Sequence, residues 1–507
     1  MGGGSKKKDI LNITREQILT LYKAGPDAVL SFIFHIRDLF NNLRAQIETQ
    51  QELIDKQQRQ LEGQEKRIQQ LEAFINKNSR NRHKPPSSDG LEKIPKVRKP
   101  SGKKPGGQKG HKGTTLQMVE NPDIIEVHKV ERCGRCGQSL KGKKVLGYDR
   151  RQVFDLPLIQ VEVTEHQAEI KKCGGCGTLT TAEFPEEARH KVQYGPGLKA
   201  TAAYIKGYGL LSYERAAELF EDLFGVPLSG GTLVNIDREI GERLEEVNER
   251  IKEQILYSPI VHFDETGMRI EGKLHWLHVA GTEEATYYVP HGKRGSQAIE
   301  AIGILPSFEG IAVHDGWSSY FNYGCDHALC NAHHLRELTF VYEQEGQRWA
   351  KQMIEFLLEV KEKKEKSTGQ RFSAKRIQEF EQRYRDIVAM GMAANPPPAE
   401  EGKKKRGRKK KSKAANLLDR LRQHEKAVLA FMYAFSVPFH NNLGERDIRM
   451  MKVQQKISGT FRSFEGALSF CRIRSYISTV KKQGLNVMSA LQDVFSGKRL
   501  LPQLCDS

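Results

Sequence analysis

A heptad repeat near the amino terminus places the strongest constraint on the fold. Apolar residues recur every seven positions, at Phe40, Ile47, Ile54, Leu61, Ile68 and Ile75, and the second seam holds Ile36, Leu43 and Leu71. This spacing predicts a coiled-coil helix over residues 36–78, preceded by a helical lead over residues 1–35. Buried glutamines at Gln50, Gln57 and Gln64 would favour one register at some cost in stability. We predict that the chain is at least a dimer, with packing on its own domain as the alternative.

Two short segments account for the whole net charge of +18, so the rest of the chain is close to neutral. Residues 77–112 contain 12 lysines and arginines against 2 acids, and residues 403–413 contain 9 against none. Pro, Gly, Ser and Lys dominate the first segment, so residues 79–116 are predicted to be a basic disordered linker. Both segments suit a polyanion such as DNA, because a lysine near a phosphate releases counterions. The alternative is a pair of solubilising tails.

Membrane association is not expected from this sequence. Apolar runs fall well short of the roughly 20 residues that span a bilayer, and no signal peptide is evident. We therefore predict a cytoplasmic protein with no membrane partner.

Two cysteine motifs predict a metal-binding domain over residues 117–190. They are Cys133-Gly-Arg-Cys136-Gly and Cys173-Gly-Gly-Cys176-Gly, separated by alternating, strand-like sequence at residues 152–170. Four thiolates with this spacing suit one tetrahedral Zn²⁺, as in a zinc ribbon. A redox pair is the competing interpretation, but duplicated cysteine pairs fit it poorly in a reducing compartment.

Helices and then strands follow along the chain. Residues 191–256 are predicted to form a helical DNA-binding domain, in which a helix, a break at Gly225 and a second helix capped by Ser229 resemble a helix-turn-helix. An ordinary helical hairpin is the alternative, since the second helix has few basic side chains. The strand-rich core starts near Ser258, with its first part at 257–342 and its second at 437–507 together with C-terminal helices. A helical insertion with a basic loop, at 343–436, separates the two parts.

Three acidic residues in the core indicate metal chemistry. Asp264 and Asp315 end short β-branched runs, and Glu445 lies in a sequence typical of a helix. Two strand-borne aspartates and a helix-borne glutamate can hold two divalent cations, which clamp the attacking and leaving oxygens of a phosphodiester. Mg²⁺, or Mn²⁺, suits such carboxylates. Glu265 and Asp447 are the nearest rival ligands, but adjacent residues point in other directions.

Other side chains near these acids are candidates for metal or DNA contact. Cys325, His327, Cys330 and His333 in CDHALCNAHH could hold a second metal, and a buried, hydrogen-bonded structural role is a further alternative for His333. We favour instead a role for His333 and Arg336, one helical turn apart, in touching phosphate or steadying the acids.

Aromatic and basic residues beside the acids have two interpretations each. Trp317 and Tyr320 could stack on an unpaired base, although core packing is the ordinary explanation. Arg446, Arg449 and Lys452 recur at helical spacing and would face a phosphate backbone if their helix lines a DNA channel. A solvated helix face is the alternative.

Motifs along nearly the whole chain resemble the insertion-sequence-sixty-six family of bacterial transposases, of the DDE type. They are GGQKGHKG, the double CxxC, FGVPLSGGTL, FDET, HDGWSSY, CNAHHLREL, NNLGERDIR and TVKKQGLNV. The resemblance implies a multidomain α+β protein with a ribonuclease-H-like α/β catalytic core, in which Asp264, Asp315 and Glu445 are catalytic. It departs from the family at Leu335, where many relatives have a second arginine beside Arg336.

The implied function is DNA transposition. Such an enzyme binds the ends of its insertion sequence, nicks them with divalent metal ions and joins the 3′-hydroxyls to target DNA. Its partners would be element ends, target DNA in the nucleoid, further copies of itself and accessory proteins of the same element. The alternatives are a non-catalytic or domesticated DNA-binding regulator with the same domains and, less favoured, a nuclease without strand transfer.

Overall fold

The computed structural model describes residues 14–75, 116–156, 161–185, 188–396 and 411–498. The chain divides into two compact units, residues 1–92 and 93–507, which are described separately. Most of the predicted basic linker and most of the basic loop lie outside the described residues. Among the helices that are described, none combines the length and apolar character needed to cross a membrane.

The amino-terminal unit consists of helix α1 (Arg15–Lys23) and helix α2 (Pro26–Ile75). Thr14 and Gln17 form a capping box that starts α1, and Pro26 at the first position starts α2. The predicted helix is therefore present as one continuous element of 50 residues. The seam residues Ile47, Ile54 and Leu61 are about half exposed or more in the single chain, at 62%, 47% and 58%.

Few strands form in the cysteine-containing region. Strands β1 (Ile170–Lys172) and β2 (Leu179–Thr181) pair antiparallel. Residues 152–156 and 161–169, predicted to be strand-like, have no strand pairing where they are described. Most side chains here are exposed, including Val153 at 91%. An alternating sequence forms a strand only if another segment pairs with it, and none of the described ones does so here.

Six helices share one apolar core in the second unit. They are α3 (Pro196–Gly207), α4 (Tyr213–Phe224), α5 (Gly230–Arg243), α6 (Glu245–Leu256), α15 (Phe464–Lys482) and α16 (Val487–Phe495). Gly225 ends α4 in the left-handed region, and the Ser229 side chain accepts a hydrogen bond that starts α5. The predicted helix, turn and second helix are thus present, and they pack on the C-terminal helices.

A five-stranded sheet forms the centre of this unit. Its strands are β3 (Ile260–Ile270), β4 (Lys273–Gly281), β5 (Thr286–His291), β6 (Ile311–His314) and β7 (Asp326–Leu329). The order is β5-β4-β3-β6-β7, with β3, β4 and β5 antiparallel and β6 and β7 parallel to β3. Glu271 and Gly272 both have positive φ, as the tight turn between β3 and β4 requires.

Helices cover both faces of the sheet. On one face, Met268 and Leu277 pack against Ile448 of helix α14 (Asn442–Ser458). On the other, Phe263 packs in a cluster with α6 and helix α7 (Ser296–Ile302). Because alternate strand residues share a face, even-numbered residues of β3 face α14 and odd-numbered ones face α7.

The helical insertion has its own core. Its helices are α8 (Asn331–Glu345), α9 (Arg348–Glu365), α10 (Ala374–Ala394), α11 (Lys413–Gln423), α12 (Glu425–Val428) and α13 (Ala430–Tyr433). Phe356, Tyr384 and Leu418 are fully buried in the cluster that joins them. The insertion leaves the sheet after β7 and returns at α14, so its ends lie beside the predicted acids.

Candidate active site

Asp264 lies within β3, and Asp315 directly follows the neighbouring parallel strand β6. β3 pairs with β6 so that Ile260 lies opposite Ile311 and His262 lies opposite Val313. Continuing that register by two residues brings Asp264 level with Asp315. The strand does not end at Asp264 as its β-branched run suggested, because β3 continues to Ile270 in antiparallel pairing with β4. Ligands in open sheets bind beyond the carboxyl ends of parallel strands, and both aspartates lie just beyond the parallel pairing of β3 with β6.

Glu445 lies on the same sheet face as Asp264, in the first turn of α14. Asn441, which precedes that helix, fixes the position of the start of α14 relative to β3. Its side-chain oxygen lies 2.7 Å from Nδ1 of His262, and its amide nitrogen donates to the Phe263 carbonyl at 2.8 Å. His262 and Asp264 share a face of β3, so these bonds tie the start of α14 to the strand that carries Asp264.

Burial and neighbouring acids change the ionisation of Asp264. The pKa of Asp264 is raised from 3.8 to about 8, chiefly by burial and then by the negative charges of Glu265, Asp315 and Glu445. Asp264 accepts a hydrogen bond from the Glu265 amide at 2.9 Å. Asp315 similarly accepts from the Trp317 amide at 2.9 Å. A bound cation would relieve this repulsion, and the all-oxygen donors fit Mg²⁺ or Mn²⁺.

Glu265, the first rival ligand, points to the opposite face of the sheet. Arg294 donates to it from Nε at 2.8 Å and from Nη2 at 2.6 Å, and the Tyr320 hydroxyl donates a further hydrogen bond. The Arg294 guanidinium also lies over Trp317, 4.2 Å from the ring centre. Tyr320 is buried in the core, whereas Trp317 is half-buried.

Asp447, the second rival ligand, belongs to a buried ion pair. Its carboxylate accepts from the Lys482 ammonium at 2.6 Å and from the Thr286 hydroxyl at 3.1 Å. Both charged side chains are nearly buried, with 10% and 13% of their surface exposed. Gly281 allows this approach, since a Cβ there would lie 2.9 Å from the Asp447 carboxylate. The pair joins α14 to α15 and the β4–β5 hairpin.

Cys330 and His333 lie beside Glu445. Cys330 follows β7 and begins α8, with its sulfur 3.9 Å from Oε1 of Glu445. His333 Nε2 lies 3.8 Å from the same oxygen. Burial raises the pKa of the Cys330 thiol to about 11. Arg336 is half-buried one turn further along α8, as the predicted pairing with His333 requires.

The outer face of α14 carries the predicted basic residues. Arg446, Arg449 and Lys452 are exposed. The Lys452 ammonium donates to the Gly267 carbonyl at 3.2 Å, and Arg446 and Arg449 lie one turn apart. They extend away from Glu445 along one surface of the helix.

The four cysteines form two knuckles of the same shape. In the first, the Cys133 amide donates to the Gln138 carbonyl and the Gly137 amide donates to the Cys133 carbonyl, both at 2.9 Å. The second repeats these bonds from Cys173 and Gly177, and Gly137 and Gly177 have φ of 72° and 73°. Hydrogen bonds, first from the Thr178 hydroxyl, lower the pKa of Cys176 to about 7. Each knuckle suits half of a zinc site.

The two knuckles do not meet in this structure. Within the described residues, the group of potential ligands that comes within 4.8 Å of one another is Cys330, His333 and Glu445; none of the four cysteines, and neither Asp264 nor Asp315, is among them. The expected four-sulfur cluster is therefore not formed here. These knuckles lie in largely exposed sequence without an apolar core, and small zinc domains commonly depend on the ion to join their halves.

Comparison with known families decides the class of protein. A profile described as Transposase IS66 family matches residues 191–469, more than half of the chain. The chain belongs to the Transposase IS66 family. A second profile, the zinc-finger binding domain of transposase IS66, matches residues 131–177 and supports a structural Zn²⁺. A third, a family of unknown function (DUF6444), matches residues 35–117. A search of curated proteins found no match.

In this IS66-family chain, sequence reasoning missed two residues that build the site. Asn441 joins α14 to β3, and its backbone amide also donates to the Cys330 sulfur at 3.1 Å. Gly444 leaves room for it, because a Cβ there would lie 3.0 Å from the Asn441 side-chain oxygen. The signal was the sequence NNLGER, where a polar pair and a glycine directly precede the predicted acid. For Cys330 the sequence predicted only a place among several candidate metal ligands in the segment CDHALCNAHH.

Proposed function

We propose that this member of the Transposase IS66 family is an active DDE-type transposase. It would bind the ends of its insertion sequence, nick them with divalent metal ions and join the 3′-hydroxyls to target DNA. The observation that carries the proposal is the burial of Asp264 beside other acids: burial first, and then the negative charges of Glu265, Asp315 and Glu445, raise its pKa to about 8. Like charges are seldom gathered in a partly buried place unless a cation joins them.

The proposed metal ligands are the same three carboxylates. Bound Mg²⁺ or Mn²⁺ would lower the pKa of an attacking water or 3′-hydroxyl and stabilise the leaving oxygen. The chain itself supplies the positioning: β3 and β6 hold the aspartates level, and Asn441 holds the start of α14 against β3. His333, 3.8 Å from Glu445, would steady that carboxylate.

We also propose that the sheet and its helices form a ribonuclease-H-like core. Three antiparallel strands followed by two strands parallel to the first, with helices on both faces, support this assignment. The helical insertion would be an addition at the β7 edge, since it has a core of its own.

DNA binding would be distributed over several parts of the chain. We assign it to the zinc-binding domain, to α4 and α5, to the basic segments and to Arg336 and the exposed basic residues of α14. Phosphate contacts of this kind give affinity without sequence preference. The protein would act in the cytoplasm on nucleoid DNA, together with accessory proteins of its element.

Self-association would come from α2. Ile47, Ile54, Leu61 and Ile68, at intervals of seven residues, are about half exposed or more in the single chain. A seam of this length is covered when a second copy of the helix packs against it. Transposition also needs two DNA ends brought together, which a dimer supplies.

A nicking and strand-transfer assay on the element's own ends tests the catalytic proposal. Asp264→Asn, Asp315→Asn and Glu445→Gln should each abolish nicking and joining in Mg²⁺, while binding of end DNA in a mobility-shift assay is retained. Asp326→Asn is the matched control. Asp326 is an exposed aspartate at the amino end of β7, whereas Cys330, beside Glu445, follows the carboxyl end of that strand. Full nicking by Asp264→Asn would refute the assignment. A parent protein that binds ends but never cuts them would favour the non-catalytic regulator.

A further inference from the structure

We propose that Cys330, His333 and Glu445 bind a zinc ion, and that this ion competes with the catalytic cation for Glu445. The zinc site stands on its own geometry. The competition rests on the proposed function, because it requires Glu445 to be a ligand of the catalytic metal as well.

The donor atoms already stand close to the spacing that zinc needs. The sulfur, the imidazole nitrogen and the carboxylate oxygen all lie within 4.8 Å of one another. Oε1 of Glu445 is 3.9 Å from the Cys330 sulfur and 3.8 Å from Nε2 of His333. Ligands about 2.0–2.3 Å from a tetrahedral zinc stand about 3.3–3.5 Å apart. Movements of about half an ångström would bring Oε1 of Glu445 to these distances from the other two donor atoms.

The backbone holds the three residues in place. The Cys330 amide donates to the His314 carbonyl at 2.9 Å, which extends the pairing of β6 and β7. The His333 amide donates to the Cys330 carbonyl at 3.1 Å, so the two ligands share the first turn of α8. On the other side, the Asn441 amide donates to the Cys330 sulfur and ties it to the start of α14. A site on such supports needs little reorganisation to bind metal.

The donor set selects a transition metal over magnesium. Thiolate and imidazole are soft or borderline ligands that suit zinc, whereas Mg²⁺ prefers oxygen. On binding, the thiol proton passes to solvent and the sulfur bonds to the metal. Three protein ligands leave a fourth position for water or a phosphate oxygen.

Because the zinc site and the catalytic site would share Glu445, zinc binding would inhibit the proposed reaction. A Glu445 carboxylate bound to zinc together with Cys330 and His333 would be less available to a cation held by Asp264 and Asp315. Zinc would then lower magnesium-dependent nicking by removing one of the three carboxylates from the catalytic cation.

Metal content and cobalt spectra of the full-length protein test the site. Cobalt(II) serves as the probe, because thiolate ligands give it a charge-transfer absorption that other ligands do not. We expect about two thiolate-bound ions per chain in the parent and about one in Cys330→Ser. Cys325→Ser is the matched control, since Cys325 is buried nearby but outside the cluster.

Two further variants keep the result decisive. Cys133→Ser with Cys173→Ser should remove the knuckle ion and leave the ion at Cys330. His333→Gln removes a different ligand and should also lower the content to about one ion, even if Cys330→Ser fails to fold. Equal metal content and equal spectra in the parent, folded Cys330→Ser and His333→Gln would overturn the proposed site.

Inhibition by zinc tests the competition separately. In nicking assays with Mg²⁺, half-inhibition of Cys330→Ser should need at least about tenfold more zinc than half-inhibition of the parent. Equal sensitivity of the two proteins would overturn the competition. If the parent never nicks DNA, the proposed function fails, and the cobalt spectra still decide whether the zinc site exists.

Discussion

Replacing Asp264 with asparagine should stabilise the magnesium-free protein and remove its activity. The folded protein holds the pKa of this carboxyl at about 8 against an ordinary 3.8, mainly through burial and secondarily through the neighbouring acids. At neutral pH the folded state therefore keeps a proton that the unfolded chain releases. Asparagine has nearly the same shape and no charge, so its burial does not carry the free-energy cost of keeping a carboxyl protonated at neutral pH.

The gain in unfolding free energy from Asp264→Asn, and its dependence on pH, follow from the unfolded and folded pKa values of Asp264. Each pH unit between them is worth about 1.4 kcal/mol, so the full cost at pH 7 is about 4 kcal/mol. Partial exposure of Asp264 lowers that to roughly 2–4 kcal/mol. A raised folded pKa gives stability that is complete below the unfolded value and lost as pH rises through the folded value. The advantage of Asp264→Asn should thus be small near pH 4 and grow up to about pH 8.

Urea unfolding between pH 5 and pH 8 measures this difference. The signal is tryptophan fluorescence, because Trp276 lies in β4 and Trp317 close to Asp315, both in the sheet region. The buffer contains neither magnesium nor chelator, so that zinc at the cysteine knuckles is retained. Asp326→Asn, with its exposed carboxylate, should show no such gain.

Two results would refute this reasoning. One is an Asp264→Asn protein no more stable than the parent at pH 7.5, and the other is an advantage that does not change with pH. Adding Mg²⁺ should narrow the gap, because a ligand that binds only the folded parent stabilises it. A gap unaffected by Mg²⁺ would show that Asp264 contributes nothing to a metal site.

Two further predictions concern assembly and the placement of α14. Asp447→Ala should lower the free energy of unfolding by about 3 kcal/mol in urea titrations, because it leaves the Lys482 ammonium buried without its partner. Adding Lys482→Met should recover at least half of that lost free energy, and no recovery would contradict the pairing. Deleting residues 1–78 should yield a smaller assembly in analytical ultracentrifugation and leave magnesium-dependent nicking of a single end partly intact; an unchanged oligomeric state would argue against α2 as the dimer seam.

Local patterns predicted the longer elements well. The segments IVHFDETGMRI and KLHWLHVAG coincide with β3 and β4, because their β-branched and aromatic residues favour strands. The heptads predicted the helix that runs to Ile75, and Gly225 and Ser229 predicted the turn between α4 and α5. In each case the signal is contained in one short stretch of sequence.

Short or partner-dependent elements were not predictable in the same way. β7 has only four residues, Asp326–Leu329, which is too short a run for a strand period to be recognised. Residues 152–170 alternate as a strand does, but strand formation depends on a partner that local sequence does not specify. The contacts of Asn441 with β3 join residues 178 and 179 positions apart, a distance over which no local pattern carries information.

The acids in and around the proposed site differ in whether they have a cationic partner. Glu265 and Asp447 each lie within two residues of a proposed ligand, and each has a cationic partner, Arg294 or Lys482, at 2.6 Å. Asp264 and Asp315 have no such ion pair with any residue that the structure describes; their hydrogen bonds come from backbone amides. A fold that only had to bury these aspartates would gain by giving them counter-ions too, since an unpaired buried charge costs several kcal/mol. The protein neutralises the acids beside the proposed site and gives Asp264 and Asp315 no cationic partner among the described residues, as the proposed binding of a cation from solution requires.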